Sequence, residues 1–299
     1  MEDRQTEANG IAADRTGAEM QTELEFRRLQ ALHYAGAGLR DRDEEIMDTI
    51  PRRAFALDLL GSLLTASLLT GLSKAGVLSR AIAAAVRPWV AEMERITKAM
   101  RTGAISQREW QQGIEELLSG VDVADVVKAV DYDRLVKRVR WRERHESVLE
   151  IDLPKREGMT GELSFDSFFY AMRKDVAIVP HGHQNMATMH MVLAGKAEAR
   201  HYDRVSADGK HLIIKPVSDV VAGPGHASTI SDENTNIHWF KAVTDAVFLF
   251  NIGVFQIDQR KSFTGREYID PLGGQKLEGG LIRARRMTDE QAYRLYGKT

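Results

Sequence analysis

The sequence predicts an α+β chain, a helical N-terminal region followed by a C-terminal β-sandwich or barrel. Between Ala81 and Arg140, apolar residues recur at three- and four-residue steps, the spacing of one helix face. After Ile151 that period fades, and short apolar or alternating runs appear between turn residues, the texture of many short strands. A third observation bears on function. Pro180-His181-Gly182-His183 carries two histidines at i, i+2, and a further one follows in Asn236-Ile237-His238-Trp239-Phe240.

Taken in order, residues 1–20 are polar, with almost no large apolar side chain, and are expected to form a disordered tail. Residues 21–50 have helix-forming composition broken by Gly36 and Gly38. The apolar segment 54–78 carries Asp58 and Lys74, and its uncharged stretch from Leu59 to Ser73 is short for a bilayer. A mid-span charge costs about 3 kcal/mol, so no stable membrane span is expected. Arg52-Arg53-Ala54-Phe55 ahead of it resembles a twin-arginine export signal, with Met47 as an internal start and Ala83 to Ala85 as cleavage positions. Two readings stand: a buried helix in a cytoplasmic protein, or an export segment that sends the chain to the periplasm.

Pro88 suits the first turn of a helix whose apolar stripe is Trp89, Val90, Met93, Ile96 and Met100. Gly103 breaks it. Ser106 and Glu109 have capping-box spacing and open a second helix with Trp110, Ile114, Leu117 and Leu118, which Gly120 ends. Val121 to Val139 supplies a third helix or a helix pair, with Val123, Val127, Val130 and Leu135 inside. Residues 21–150 thus read as a helical region built as a small bundle. The cations Lys137, Arg138, Arg140, Arg142 and Arg144 read as a solvated helix end or linker, with an anion contact as the alternative. Glu143 and Glu146 balance them, and the formal net charge of −2 offers no field to nucleic acid.

Residues 151–272 form the expected barrel. Strands are expected near Val176 to Val179, Met189 to Leu193, Ala197 to Tyr202, His211 to Pro216, Asp219 to Ala222, Ile237 to Val243 and Ala246 to Ile252. Phe165, Phe168, Phe169 and Tyr170 precede them and read as the core face of a helix leading into the barrel, or else as a pocket wall. Residues 273–299 read as a basic tail ending in a short helix, Asp289 to Tyr296. The absence of cysteine removes disulfides, thiolate metal sites and cysteine nucleophiles together.

Side chains alternate along a strand, so His181 and His183 share a face. A third imidazole from a later strand, His238, completes half an octahedron and leaves the rest open. Three neutral nitrogens suit Fe, Ni, Cu and Zn better than Mg or Ca, and three protein ligands with open positions is a catalytic layout. Each ring must be neutral to bind, so affinity is expected to fall below a pH of about 6.5.

The segment PHGHQNMATMHMVLAG resembles the first motif of the cupin family, a His-x-His pair, then Glu, then Gly seven residues later. His181, His183 and Gly195 match, and Thr188 occupies the Glu slot. The resemblance implies a double-stranded, jelly-roll-like β-barrel. Within cupins, Thr235-Asn236-Ile237-His238-Trp239-Phe240-Lys241-Ala242-Val243-Thr244 is similar to the third-histidine stretch of the thiol dioxygenases, as is Tyr202-Asp203. That likeness spans about residues 165–260. It implies one metal held by His181, His183 and His238, Fe(II) first and Ni, Zn or Mn as alternatives. It further implies O2 and a small-molecule substrate such as a thiol as partners, with Tyr202 as the catalytic residue that orients the substrate. Phe250 and Gln256 stand where that branch carries an acid and a tyrosine, so a metal site and a thiol substrate are separable. The alternative function is a non-catalytic ligand- or metal-sensing cupin whose helical region binds a partner. Isomerisation or hydrolysis at Zn or Ni is the third.

His190 lies seven residues after His183 and, on one continuous strand, would face away from the metal. His226 reads as a loop donor to the site, His201 and His211 as surface residues, and Asn236 as a turn residue. Lys196, Arg200 and Arg204 read as exposed strand positions, with carboxylate binding as the alternative.

Overall fold

The computed structural model describes residues 89–153, 162–263 and 265–299, all within the compact unit Pro51–Thr299. The polar tail, the segment 54–78, Arg52-Arg53, Met47 and Ala83 to Ala85 lie outside the described residues. No helix among the described residues is long and apolar enough to cross a membrane.

Among the described residues, four α-helices come first. In α1, helical over residues 89–101, Trp89, Val90, Met93, Ile96 and Met100 are all buried. The second, α2 (Gln107–Ser119), opens on the expected capping box: Ser106 Oγ accepts from the Glu109 N–H, and the Glu109 carboxylate accepts from the Ser106 N–H at 2.7 Å. The segment Val121 to Val139 resolves into a pair, α3 (Val123–Ala129) and α4 (Tyr132–Arg138), broken at Asp131 with its φ of 55°.

Eleven strands follow: β1 (Ser147–Glu150), β2 (Asp166–Arg173), β3 (Ala177–Gly182), β4 (Met186–Ala194), β5 (Ala197–Asp208), β6 (His211–Ala222), β7 (Ala227–Ile230), β8 (Ile237–Ala242), β9 (Ala246–Phe255), β10 (Glu267–Lys276) and β11 (Ile282–Arg286). They form a five-stranded sheet, β1-β2-β9-β4-β7, and a six-stranded sheet, β10-β11-β6-β5-β8-β3, that closes on itself. This is a helical region followed by a double-sheet β-barrel. A last helix, α5 (Asp289–Tyr296), ends the chain.

Period-2 alternation decides which residues meet what. On β9, Phe248, Phe250, Ile252 and Val254 join Trp89, Trp110 and Tyr132 of the helices in one apolar cluster. Trp89 meets Phe250 edge-on at 6.0 Å, and Tyr132 meets Phe248 at 5.4 Å. The alternate residues Leu249 and Asn251 turn to the barrel interior. On the other sheet, α5 packs Ala292, Tyr293 and Tyr296 with Val179, Tyr202 and Trp239. The outer face of the five-stranded sheet is thus covered by the helices, which is why β4 and β9 are buried almost throughout.

The structure corrects three expectations. Phe168, Phe169 and Tyr170 lie on β2, not on a helix. A strand buried on both faces gives an unbroken apolar run, and such a run carries no period to tell it from a helix. The barrel also begins before residue 151, at β1, and continues past 272 through β10 and β11. In β11, buried Ala284 is flanked by outward Arg283 and Arg285, so a strand reads as a basic tail. Finally, β6 is one strand where two were expected, and bulges beside Pro216 keep the ladder with β5 intact.

Gly195 turns the chain from β4 to β5 at φ +81°, and a Cβ there would collide with the carbonyl oxygen of Ala246. Left-handed backbone costs a non-glycine residue about 1–2 kcal/mol before any clash. Gly195→Ala is therefore expected to lose at least about 2 kcal/mol of stability, read as a lower urea midpoint with an unchanged slope.

Candidate metal centre

Strand pairing builds the site. A register shift between Ile178 and His181 re-aims the end of β3 so that His181 stands opposite His238 of β8. His201 of β5 is the partner of His238 on its other side. Three imidazoles therefore lie abreast across three adjacent strands. His183 follows just past the end of β3.

The rings of His181 and His238 are 4.4 Å apart, those of His181 and His183 4.7 Å, and those of His183 and His238 5.3 Å. Their ligand nitrogens all lie within 4.8 Å of one another. Two metal–nitrogen bonds of about 2.1 Å span at most about 4.2 Å, so a bound ion would draw these nitrogens closer together. His181 Nδ1 lies 2.7 Å from the Val179 carbonyl. A carbonyl only accepts, so the proton sits on Nδ1 and Nε2 keeps its lone pair for a ligand bond.

His183 Nδ1 and both nitrogens of His238 are buried without a protein partner. An unpaired buried polar atom costs about 1–3 kcal/mol, and a metal ion bonded to each of these rings would offset part of that. The residues present therefore fit a bound ion. Burial, followed by the charges of Arg266 and Arg204, pushes His183 down to about 3. His181 and His238 are also held well below the ordinary histidine value, mainly by burial and then by Arg266 and His183 for the former and by the other imidazoles for the latter. All three are thus neutral and ready to donate at neutral pH.

Thr188, in the position where the related motif carries Glu, supplies no charge. Its hydroxyl donates to the Ile252 carbonyl and accepts from Asn251 Nδ2, both at 2.7 Å. The nearby charges are positive but compensated. Arg266 donates to Glu146 at 2.7 Å, and Tyr293 Oη donates to the same carboxylate at 2.9 Å. Burial alone would raise the Glu146 carboxyl, but Arg266 outweighs it and holds it below the usual range. Arg204 pairs with Glu267, which also binds Arg286 at 2.7 Å.

His190 corrects an expectation. Its ring lies 5.1 Å from that of His238 and 4.9 Å from that of Phe240, on the inner face of β4. One strand does not run from His183 to His190. The chain leaves β3 at Gly182, turns through Asn185 at φ 59° and re-enters in the other sheet, so the parity is reset. His201, expected at the surface, is buried with its ring 6.5 Å from His238 and its Nδ1 2.8 Å from Ser218 Oγ. Burial, then the charge of His226, lowers it to about 4. The clue lay in Ala197, Ala199 and His201, a small-residue face leading to an imidazole. The clue to His190 was the turn at Gln184-Asn185.

Tyr202 is not brought to the cluster. It pairs in register with Ile237 and packs with Val179, Trp239 and Tyr296 on the outer face beneath α5. Since His201 points inward, its neighbour must point outward. Arg200 shares that outer face, 4.8 Å over the Trp239 ring and 2.8 Å from Asp219. Asn236 is more than a turn residue: buried, it donates to the His183 carbonyl at 2.8 Å and to the Ser231 carbonyl at 3.1 Å.

No protein-family model matches this chain, and no curated protein matches it in sequence. Solved structures do resemble part of it. Procruciferin, an 11S globulin from Brassica napus, aligns at 10% identity and TM-score 0.29, over 39% of this chain and 27% of its own. The Cnp3 cupin domain of Schizosaccharomyces pombe aligns at 12% identity and TM-score 0.29, over 42% of this chain and 73% of its own. An oxalate oxidase aligns at 17% identity and TM-score 0.29, over 38% of this chain and 53% of its own. Likeness at this level assigns no chemistry. What stands on the chain's own geometry is a double-sheet barrel with three buried histidines placed to hold one metal ion.

Proposed function

We propose that this chain is a mononuclear metal-binding cupin, and that it works as an Fe(II)-dependent dioxygenase on a small anionic substrate, with thiols the first class to test. One observation carries the reading: three buried imidazoles converge, and Thr188 replaces the carboxylate that would neutralise an ion between them. An ion held by neutral ligands keeps its full charge in a low-dielectric site, where electrostatic attraction is strongest. An anionic donor atom is then the preferred incoming ligand. Fe(II), when bound, would supply a centre at which O2 and a substrate atom meet side by side.

The protein's own part is positional. The Val179 carbonyl fixes the His181 tautomer, Asn236 holds the His183 backbone, and Thr188 with Asn251 keeps the neighbouring face uncharged. Tyr170 and Phe240 flank His190 with aromatic rings, at 6.0 and 4.9 Å from its own.

The experiment is anaerobic Fe(II) loading followed by oxygen uptake with cysteine, cysteamine and 3-mercaptopropionate. Iron-dependent uptake with at least one thiol is expected, and none in a His181→Ala, His183→Ala double variant. Silence with all three thiols would remove the thiol substrate. A second reading, a ligand- or metal-sensing cupin, is favoured by the helix α2, whose side chains grip the loop before His238. Capture of a partner that depends on bound metal would support it.

A further inference from the structure

We infer that Gln111 of α2 is a positioning residue for the metal site, so that the helical region sets the geometry of His183 and His238. This rests on the metal-binding reading above and adds to it a residue far from the ligands in sequence.

The sequence places Gln107, Gln111 and Glu115 at i, i+4 and i+8, one stripe along α2. Such a stripe ordinarily faces water. Here all three side chains are bonded to β7 and to the loop 231–236 that delivers β8. Gln107 accepts from the Asp232 N–H at 2.9 Å. Glu115 accepts from Thr229 Oγ1. Gln111 is buried between them and spends its whole amide on β7 and the loop: Nε2 donates to Thr229 Oγ1 and Thr235 Oγ1, each at 3.2 Å, and Oε1 accepts from Ser231 Oγ at 2.7 Å.

The Ser231 bond decides the loop's shape. A hydroxyl has one proton. Because Gln111 takes it, the Ser231 lone pairs are left to accept from the Glu233 and Asn234 N–H groups at 3.1 and 3.3 Å. The turn so formed ends at Thr235, held at φ 48°, and Asn236. Asn236 Nδ2 then ties the Ser231 carbonyl to the His183 carbonyl, and His238 follows two residues later. Asp232 closes the other side by accepting from the Asn185 N–H at 2.8 Å. A continuous chain of hydrogen bonds therefore runs from Gln111 through Ser231 and Asn236 to the backbone of a metal ligand. Groups bonded directly to a metal ligand typically govern affinity by about 10- to 100-fold, and Gln111, which acts through Ser231 and Asn236, is placed at the lower end of that range.

The test uses the full chain and Co(II) alone, whose visible absorption bands report ligand geometry. Gln111→Ala is expected to weaken Co(II) binding about tenfold and to shift those bands. Ser231→Ala should do the same, and the double variant should cost less than the sum of the two single ones, because both remove the shared Gln111–Ser231 bond. Trp110→Phe is the structural control: it loosens the same helix by removing the bond from Trp110 Nε1 to Thr97 Oγ1 and should leave both the affinity and the bands unchanged. Unchanged affinity and bands in both Gln111→Ala and Ser231→Ala would overturn the proposal. So would equal losses in Trp110→Phe, which would make the effect one of stability. A wild-type chain that binds no Co(II) would remove the metal reading itself, and this proposal with it.

Discussion

Replacing His238 by alanine is expected to weaken binding of Fe(II), Ni(II) or Zn(II) by at least a hundredfold while the protein still folds. His238 sits between His181 and His201 in the sheet, and its ring lies within 5.3 Å of those of His181 and His183. Loss of a group that merely supports a ligand costs about 10- to 100-fold, so loss of a direct donor costs more. The fold pays little, because the substitution also deletes two buried nitrogens that have no protein partner. At a free metal concentration of about 100 times the wild-type Kd, binding stabilises the wild type by about 2.7 kcal/mol. A hundredfold weaker site gives about 0.4 kcal/mol under the same conditions. Melting curves with metal and with chelator, together with competition titrations, read both quantities. A variant whose melting point rises with metal as much as the wild type's would show that His238 is no ligand.

The site was legible in the sequence wherever spacing alone fixes geometry. His181, His183 and His238 are read from a pair at i, i+2 and a third ring in a strand of its own, and strand pairing then brings them together. The two helical stripes ending at Met100 and Leu118 were legible for the same reason, since each buries one face against the five-stranded sheet. What the sequence hid depends on where turns fall. His190, His201 and Tyr202 were each assigned to the wrong face because strand parity restarts at every turn. Gln111 was hidden differently. A polar position between apolar ones reads as solvent-facing, and only the packing of α2 on β7 turns it inward. The strands β10 and β11 were obscured by outward arginines and by glycines that suggest a tail.

Acidification is expected to unfold the metal-free protein between about pH 6.5 and 5. Five histidines, 181, 183, 190, 201 and 238, are buried together. Burial is the leading cause that lowers each of them, His183 to about 3, His201 to about 4 and the other three well below the ordinary value. In the unfolded chain each takes up a proton near pH 6.5, whereas in the folded chain each stays neutral until far lower pH. Below pH 6.5 the unfolded state therefore binds more protons, and stability falls as pH falls, by about 1.4 kcal/mol per pH unit for each ring. Above pH 6.5 these groups contribute no slope. Five rings acting together remove about 7 kcal/mol per unit once all are protonated in the unfolded chain, against a total stability of about 5–15 kcal/mol for a typical domain. Glu146, also held low, adds to the loss only below its own unfolded value near 4.3. The same shifts revise the pH range of metal binding. Protons do not compete for the folded site near pH 6.5, so affinity per folded molecule holds there, and metal is lost on acidification because the barrel opens. Far-ultraviolet circular dichroism against pH, with chelator and with saturating Zn(II), reads both effects. Metal should move the midpoint to lower pH. A chelated protein that keeps a flat signal down to pH 4 would show that these imidazoles are not buried together in neutral form.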